Sequence, residues 1–372
     1  MKGPNSLSDQ RAVVSQWRCY EHALSTDVTK AYYSMRTGEL EMHVRRVTWR
    51  YGKTDQKWRH FGFRTVSFGD KPAGVFLDIV LRKVAAMFSP IDPSAAEKLN
   101  KDRYVDDVAT GGTKVEIKTM AGVCVGGSNK FETDGTLSKI LSEGSLKLKA
   151  IVTSGEQDKE KIAKLGKFVL GIGWDPTCDV ISIDIRESDL LKSLLSMDCV
   201  SDAVITPRIL LGIVNRPHDV LGLISPITIQ AMVAYRDLFR LHPAPGWDED
   251  IPSKEKLKWL KILQEFCKAS TVKFSRSIAP ISRGSKPEII GYFDGSDNAY
   301  AAVVYIRWTL HDGSYDVYLA CSKAKVTPLK RISTPRAELN GAVLLSRLAL
   351  FFLRSCVSSG VNPTKIWMLG DS

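Results

Sequence analysis

Cysteine is scarce and follows no pairing pattern. The seven cysteines, at 19, 124, 178, 199, 267, 321 and 356, are odd in number, and no two are spaced Cys-x-x-Cys. This argues against a disulfide framework or a cysteine-based zinc site and fits a reducing, intracellular setting. The six histidines fall at no metal-ligand spacing. No Gly-Lys-Ser/Thr follows any glycine cluster, so no ATP-binding loop is expected. The first ten residues are polar and hold no secretory core. The most apolar run, Leu339 to Leu353, is interrupted by Arg347 and is too short to span a bilayer. No membrane partner is expected, and no internal repeat is visible.

What is abundant is positive charge. The chain has 372 residues, enough for two or three domains, and 44% of them are hydrophobic, enough for sizeable cores. The 52 basic residues outnumber 41 acidic ones, giving +11 at neutral pH. Such a surface suits a polyanion such as nucleic acid, or serves solubility alone.

Against that basic background, Asp106-Asp107 stands out in Arg103-Tyr104-Val105-Asp106-Asp107-Val108, ahead of Gly111-Gly112. Apolar flanks and following glycines predict a strand, a tight turn and a strand, with two acids at the tip. Adjacent half-buried carboxylates raise one another's pKa unless a cation neutralises them. Hard oxygen ligands suit Mg2+ or Mn2+. Upstream, Thr26-Asp27-Val28-Thr29-Lys30-Ala31-Tyr32 reads as a strand leading into a helix. Asp27 alone would be an N-cap; beside an Asp-Asp hairpin it becomes a third ligand. Three carboxylates from two strands can hold two metals about 3.5–4 Å apart for in-line phosphoryl displacement.

Further along, residues 20–90 mix helix and strand, and a Gly-rich polar interval spans Gly111 to Gly135. Residues 145–152 alternate apolar and basic, as a half-exposed strand with Lys147 and Lys149 on its cationic face. Phe168 to Ile185 predicts a hairpin turning at Trp174-Asp175-Pro176-Thr177. Helical periodicity covers 226–241 and 253–268, and 275–287 has linker composition. Three strands (Ile289 to Phe293, Tyr300 to Ile306, Val317 to Cys321), an amphipathic helix from Arg336 to Arg354 and a strand from Lys365 to Leu369 then imply an α/β layer with a parallel crossover. That order can bring Asp294, Glu338 and Asp371 to one end of a sheet. Singly these acids read as a turn residue, a helix-dipole partner and a loop acid.

Three runs carry a family resemblance. Asp27 to Tyr32, Ser67-Phe68-Gly69-Asp70-Lys71-Pro72-Ala73-Gly74 and Tyr104-Val105-Asp106-Asp107 resemble, in order, motifs A, B and C of a reverse transcriptase palm. The second run, with Val169-Leu170-Gly171-Ile172-Gly173-Trp174 and Asp219-Val220-Leu221-Gly222-Leu223-Ile224-Ser225-Pro226, resembles the BEL/Pao class of long-terminal-repeat retrotransposon Pol polyproteins. Val220 stands where that class usually has proline. Tyr292 to Ser296, Ser322 to Leu329, Thr334 to Leu339 and Gly370-Asp371-Ser372 resemble its ribonuclease H domain.

The resemblance implies an α+β and α/β multidomain fold: palm over 1–150, thumb and connection-like region over 151–274, linker over 275–287, partial ribonuclease H over 288–372. It implies RNA-directed DNA polymerase and ribonuclease H activities. Asp27, Asp106 and Asp107, and separately Asp294, Glu338 and Asp371, would hold Mg2+ or Mn2+ and act in catalysis. Tyr32 would exclude a 2′-hydroxyl, or simply be a core aromatic. Phe68, Gly69 and Tyr104 would line the nucleotide path. Lys147 and Lys149 would face the primer, or solvent. Partners would be an RNA template, a DNA primer, an RNA–DNA hybrid and deoxynucleoside triphosphates, with protease and integrase of the same polyprotein possible, in a cytoplasmic particle or the nucleus. The class is often labelled a retrotransposon peptidase, yet no Asp-Thr/Ser-Gly motif occurs and Thr133-Asp134-Gly135 has the wrong order. Only 26 residues precede Asp27 and one follows Asp371, so most of the fingers and a fourth nuclease acid are expected to be missing. The alternative is a truncated, inactive or co-opted remnant that binds nucleic acid.

Overall fold

The computed structural model describes residues 7–52, 57–122, 135–185, 191–192, 195, 204–282 and 284–371. The chain forms two compact units, Met1–Val13 with His22–Gly166, and Val14–Glu21 with Lys167–Ser372. Helix α1 (Gln10–Arg18) contributes to both. Thr133-Asp134 lies outside the described residues.

In the first unit, β1 (His22–Thr29) is followed by a 3-10 turn (Ala31–Ser34), α2 (Glu39–Val44) and a hairpin of β2 (Arg46–Trp49) and β3 (Arg59–Gly62). Helices α3 (Ala73–Phe88) and α4 (Pro93–Lys101) lead into β4 (Arg103–Tyr104) and β5 (Asp107–Gly112). Then come α5 (Lys114–Ala121), α6 (Thr136–Glu143), β6 (Lys147–Leu148), β7 (Val152–Thr153) and α7 (Lys159–Leu165). The sheet order is β4-β5-β1-β6, with β7 also paired to β1. Its core joins Val28 and Val108 to Leu77, Leu81, Leu99 and Ile140.

Local sequence sets these boundaries. Asp92 caps α4 by accepting from Ala95 N at 2.9 Å, and Pro93 occupies the first turn, where its missing N–H costs nothing. Thr113 and Glu116 form a reciprocal capping box on α5. The strand expected over 145–152 breaks in two. β6 and β7 both pair with β1, but the register slips by one residue between them, which a single alternating pattern cannot foretell.

In the second unit, β8 (Phe168–Val169), β9 (Ile172–Asp175), β10 (Val180–Ser182) and β11 (Lys273–Ser275) form an antiparallel sheet in the order β11-β10-β9-β8. The expected hairpin is its β9–β10 pair, but its turn falls at 176–179, two residues later than expected, because Trp174 and Asp175 pair within β9. Helices α8 (Pro207–Val214), α9 (Ser225–Leu238) and α10 (Ser253–Lys268) intervene before β11. A second sheet is built from β12 (Gly284–Gly295), β13 (Ala299–Leu310), β14 (Tyr315–Val326) and, after α11 (Thr334–Ser358), β15 (Lys365–Leu369). Its order is β14-β13-β12-β15, with β15 parallel to β12 and the other pairs antiparallel.

Part of the 275–287 segment, of linker composition, is packed. Arg276, Ile278 and Ala279 are buried, and β12 already begins at Gly284. The Arg276 guanidinium pairs with Asp179 at 2.6 Å and donates to the carbonyls of Trp17, Tyr20 and Glu21. Helix α11 spans 25 residues, more than the 339–353 run, and by length and composition alone it could cross a membrane. Ala337, Gly341, Leu345, Leu348 and Phe352 form its buried stripe, and α11 packs on β12 and β13 as a core helix would.

Candidate functional site

Two sets of acids emerge from this architecture, one per unit. In the first unit, β4 and β5 are joined by a tight turn at Val105-Asp106. Val105 is held at φ +58°, a left-handed conformation that is costly for a β-branched residue. Arg103 and Asp102 anchor the turn from below. Arg103, fully buried, pairs with Asp78 of α3 at 2.6 Å, and Arg82 reaches the other Asp78 oxygen at 2.8 Å. Buried Asp102 accepts from Thr110 Oγ1 at 2.6 Å. Asp78 is a functional support that sequence reasoning missed, because nothing local distinguishes it from other helix acids.

Strand β1 then aligns Asp27 directly opposite Asp107, and Asp107 stands directly opposite Tyr104. Partners across an antiparallel ladder point to one face, so Tyr104, Asp107 and Asp27 form a row. The Val28 amide donates to Asp106 O at 3.1 Å, tying the turn to β1. Asp27 is therefore the sixth residue of a strand rather than an N-cap. Lys149 joins the row on the far side, where its amide donates to Asp27 O at 2.9 Å.

Electrostatics reflect this crowding. Burial is the first cause raising the pKa of all three carboxyls. Asp107 is pushed to about 6, by burial first and then by Asp106 and Asp27, while Lys149 pulls the other way. Asp106 is raised by burial and by Asp27, against a backbone hydrogen bond. Asp106 and Asp107 thus feel a neighbouring carboxylate, whereas Asp27 is raised by burial alone, against Lys149. Lys149, read as facing primer or solvent, is exposed and also lowers the Asp27 and Asp107 pKa values by its charge.

The aromatic surround assembles beside them. Tyr32 follows β1 in the 3-10 turn, and burial, Asp106 and Tyr104 all raise its phenol pKa. Its ring meets Phe68 edge to face at 5.3 Å, while Phe68 remains 65% exposed. The loop Ser67 to Pro72 is held by Asp70, which accepts from Ser67 N at 3.1 Å and pairs with Arg45 at 3.2 Å. Gly69 sits at φ +87° with nothing near its missing side chain, a conformation glycine adopts without strain. Tyr32, Phe68, Gly69 and Tyr104 thus lie on segments that adjoin the acid row or stack on one another.

In the second unit, the β12–β15 ladder ends at Tyr292 opposite Leu369. Asp294, near the end of β12, and Asp371, just past β15, each lie two residues beyond this last pair. A Cβ on Gly295 would lie 2.3 Å from Glu338 N and 2.4 Å from Ala337 C, so strand and helix start meet backbone to backbone. Glu338 is the fifth residue of α11, past the first turn where it was expected. Asp294 and Asp371 are exposed, and Glu338 is half-buried. A cavity of ≈400 Å³ adjoins Asp294 and is lined by Tyr292, Tyr305, Lys323, Leu223 and Ile229 among others.

Among the described residues, no three His, Cys, Asp or Glu side chains stand in a ready-made metal-ligand arrangement. The chemistry of the first set still fits a divalent cation: hard oxygens, adjacent, half-buried and mutually repelling. Asp294, Glu338 and Asp371 carry the same kind of donor, with Asp294 and Asp371 exposed.

Comparison with known proteins adds two findings. Residues 206–371 match the Pao retrotransposon-like RNaseH-like domain. The fold is similar to a foamy viral protease-reverse transcriptase solved in complex with an RNA/DNA hybrid, at 13% identity and a TM-score of 0.50, over 98% of this chain and 40% of that chain. The chain thus spans well under half the length of that relative. No curated protein matches the sequence.

Proposed function

We propose that this chain is the polymerase and ribonuclease H part of a retrotransposon Pol polyprotein of the BEL/Pao class. The first unit would act as a palm that extends a DNA primer on an RNA or DNA template, and the second would cut the RNA strand of the hybrid. The observation that carries this reading is the alignment of Asp27 with Asp107 across two strands, with Asp106 at the turn beside them. The RNaseH-like match over 206–371 and the fold likeness to a reverse transcriptase support it.

In this reading Asp27, Asp106 and Asp107 would hold Mg2+ or Mn2+ in the palm, and Asp294, Glu338 and Asp371 would hold them in the nuclease. Such ions supply activation of the attacking oxygen and neutralisation of the leaving group's charge. The protein residues position and filter. Tyr32, braced by Phe68, presents a stiff ring to the sugar of an incoming deoxynucleoside triphosphate. Gly69 lets backbone approach the template path closely. Lys149 lowers the pKa values of Asp27 and Asp107 by its charge, against the rise that burial causes. The +11 charge favours a nucleic-acid duplex, with affinity that falls steeply as salt rises.

Primer extension on an RNA template with Mg2+ or Mn2+ tests the proposal. Synthesis that disappears in Asp106→Asn supports it. Equal inactivity of both proteins, with hybrid binding intact, would instead identify a remnant that binds nucleic acid without catalysis.

A further inference from the structure

The β2–β3 hairpin carries a surface that neither acid set uses. Its ladder pairs Arg46 with Gly62, Val47 with Phe61, Thr48 with His60 and Trp49 with Arg59. Directly opposed residues share a face and successive residues alternate. Arg46, Thr48, His60 and Gly62 therefore lie on one face, and Val47, Trp49, Arg59 and Phe61 on the other. The first face is partly covered, since a Cβ on Gly62 would come within 2.5 Å of Met42 Cγ on α2. The second is open: Trp49 is 55% exposed, Tyr51 60% and Phe61 42%. With Val47 and Phe63 these rings line a concavity of ≈370 Å³. A two-stranded ribbon is marginally stable in water by itself, and bare rings add nothing to its stability. They are placed to receive something.

Charge identifies the occupant. Between positions 45 and 64 the sequence has Arg45, Arg46, Arg50, Lys53, Lys57, Arg59 and Arg64 against one acid, Asp55. Arg45 is engaged by Asp70 and Arg46 by His43 Nδ1, whereas Lys57, Arg59 and Arg64 are exposed. The Arg50 guanidinium lies 4.8 Å from the Trp58 ring centroid, so cation and ring are presented together. A second copy of this chain would bring the same positive charge and repel. An unpaired strand of nucleic acid offers base faces to the rings and phosphates to the arginines. A duplex hides its base faces. We propose that this hairpin is a stacking platform for single-stranded nucleic acid, with bases on Trp49, Tyr51 and Phe61 and the backbone on Arg50 and Arg59.

The platform requires neither acid set, so it stands or falls apart from the proposed catalysis. The test uses the full chain and a fluorescein-labelled 20-mer of 5-iodouridine RNA. Photo-cross-linking followed by mass spectrometry should label peptides from residues 46–63. In parallel, Trp49→Leu with Phe61→Leu, which keeps apolar bulk and removes the rings, should weaken single-strand affinity by about five-fold or more, with duplex affinity moved much less. Arg50→Gln with Arg59→Gln should lower the salt dependence of single-strand binding. Asp106→Asn should leave the cross-link in place, which separates failure of the platform from failure of the polymerase. Cross-links that avoid the hairpin overturn the proposal. So does ring-dependent binding to anionic vesicles, or a ring-dependent dimer in sedimentation, without a hairpin cross-link.

Discussion

Asp27 and Asp107 are direct partners across the ladder of β1 and β5, and their carboxylates therefore share one face of the sheet with Tyr104. Two negative charges so placed repel, and Asp106 at the adjoining turn adds a third. The fold holds them together through Arg103, Asp78 and the core beneath α3.

That crowding has a pH signature. The Asp107 carboxyl is raised to about 6 from an ordinary 3.8. The folded chain thus binds this proton more tightly than the unfolded chain does. The stabilising contribution is complete below the ordinary carboxylate range and is lost as pH rises through about 6. Without divalent cations, Tm should fall across that window, and Asp107→Asn should flatten the fall. Differential scanning calorimetry over a pH series measures it.

Divalent cations should act in the opposite sense. They need the ionised carboxylates, so the Mg2+-induced rise in Tm should grow as pH increases through about 6. Asp27→Asn should diminish that rise. A Mg2+ effect of equal size on both sides of this window would speak against the acid row as its origin.

The Asp78–Arg103 pair is expected to be structural. Asp78→Ala leaves the Arg103 guanidinium buried without its carboxylate, and burial already lowers that arginine's pKa. A loss of about 3–5 kcal/mol in urea unfolding is expected. The Asp78→Ala, Arg103→Met double variant should recover part of it, because the stranded charge is removed.

Gly295 should be intolerant of any side chain. Alanine there meets backbone atoms of Ala337 and Glu338 that cannot rotate aside. A cost of about 1–3 kcal/mol follows from overpacking. Because α11 must then lift at its start, hybrid cleavage should fall more than primer extension does.

Much of this arrangement was legible in the chain. The order of strands around α11 and the parallel return at Lys365 followed from alternation and a long amphipathic run. The Asp106-Asp107 hairpin followed from its apolar flanks and glycines. Other features depend on contacts between distant residues. Lys149 stands opposite Asp27 only because β6 pairs with β1 in this register, one residue off that of β7. Residues 275–287 have linker composition, but the carbonyls that bury Arg276 come from Trp17 to Glu21. Asp78 is a helix acid like any other until α3 is placed under the turn. Pairing between separated segments, which local pattern does not encode, decided each case.

The central claim is that residue 27 and the 104–107 turn enclose the same cation. Fe2+ substituted for Mg2+, with ascorbate and peroxide, cuts backbone beside the bound ion, and the fragments can be sized by mass spectrometry. Paired cuts near 27 and near 104–107, both suppressed by excess Mg2+ and both lost in Asp106→Asn, are predicted. Cuts at one of these places without the other, or cuts unchanged by the substitution, would contradict it.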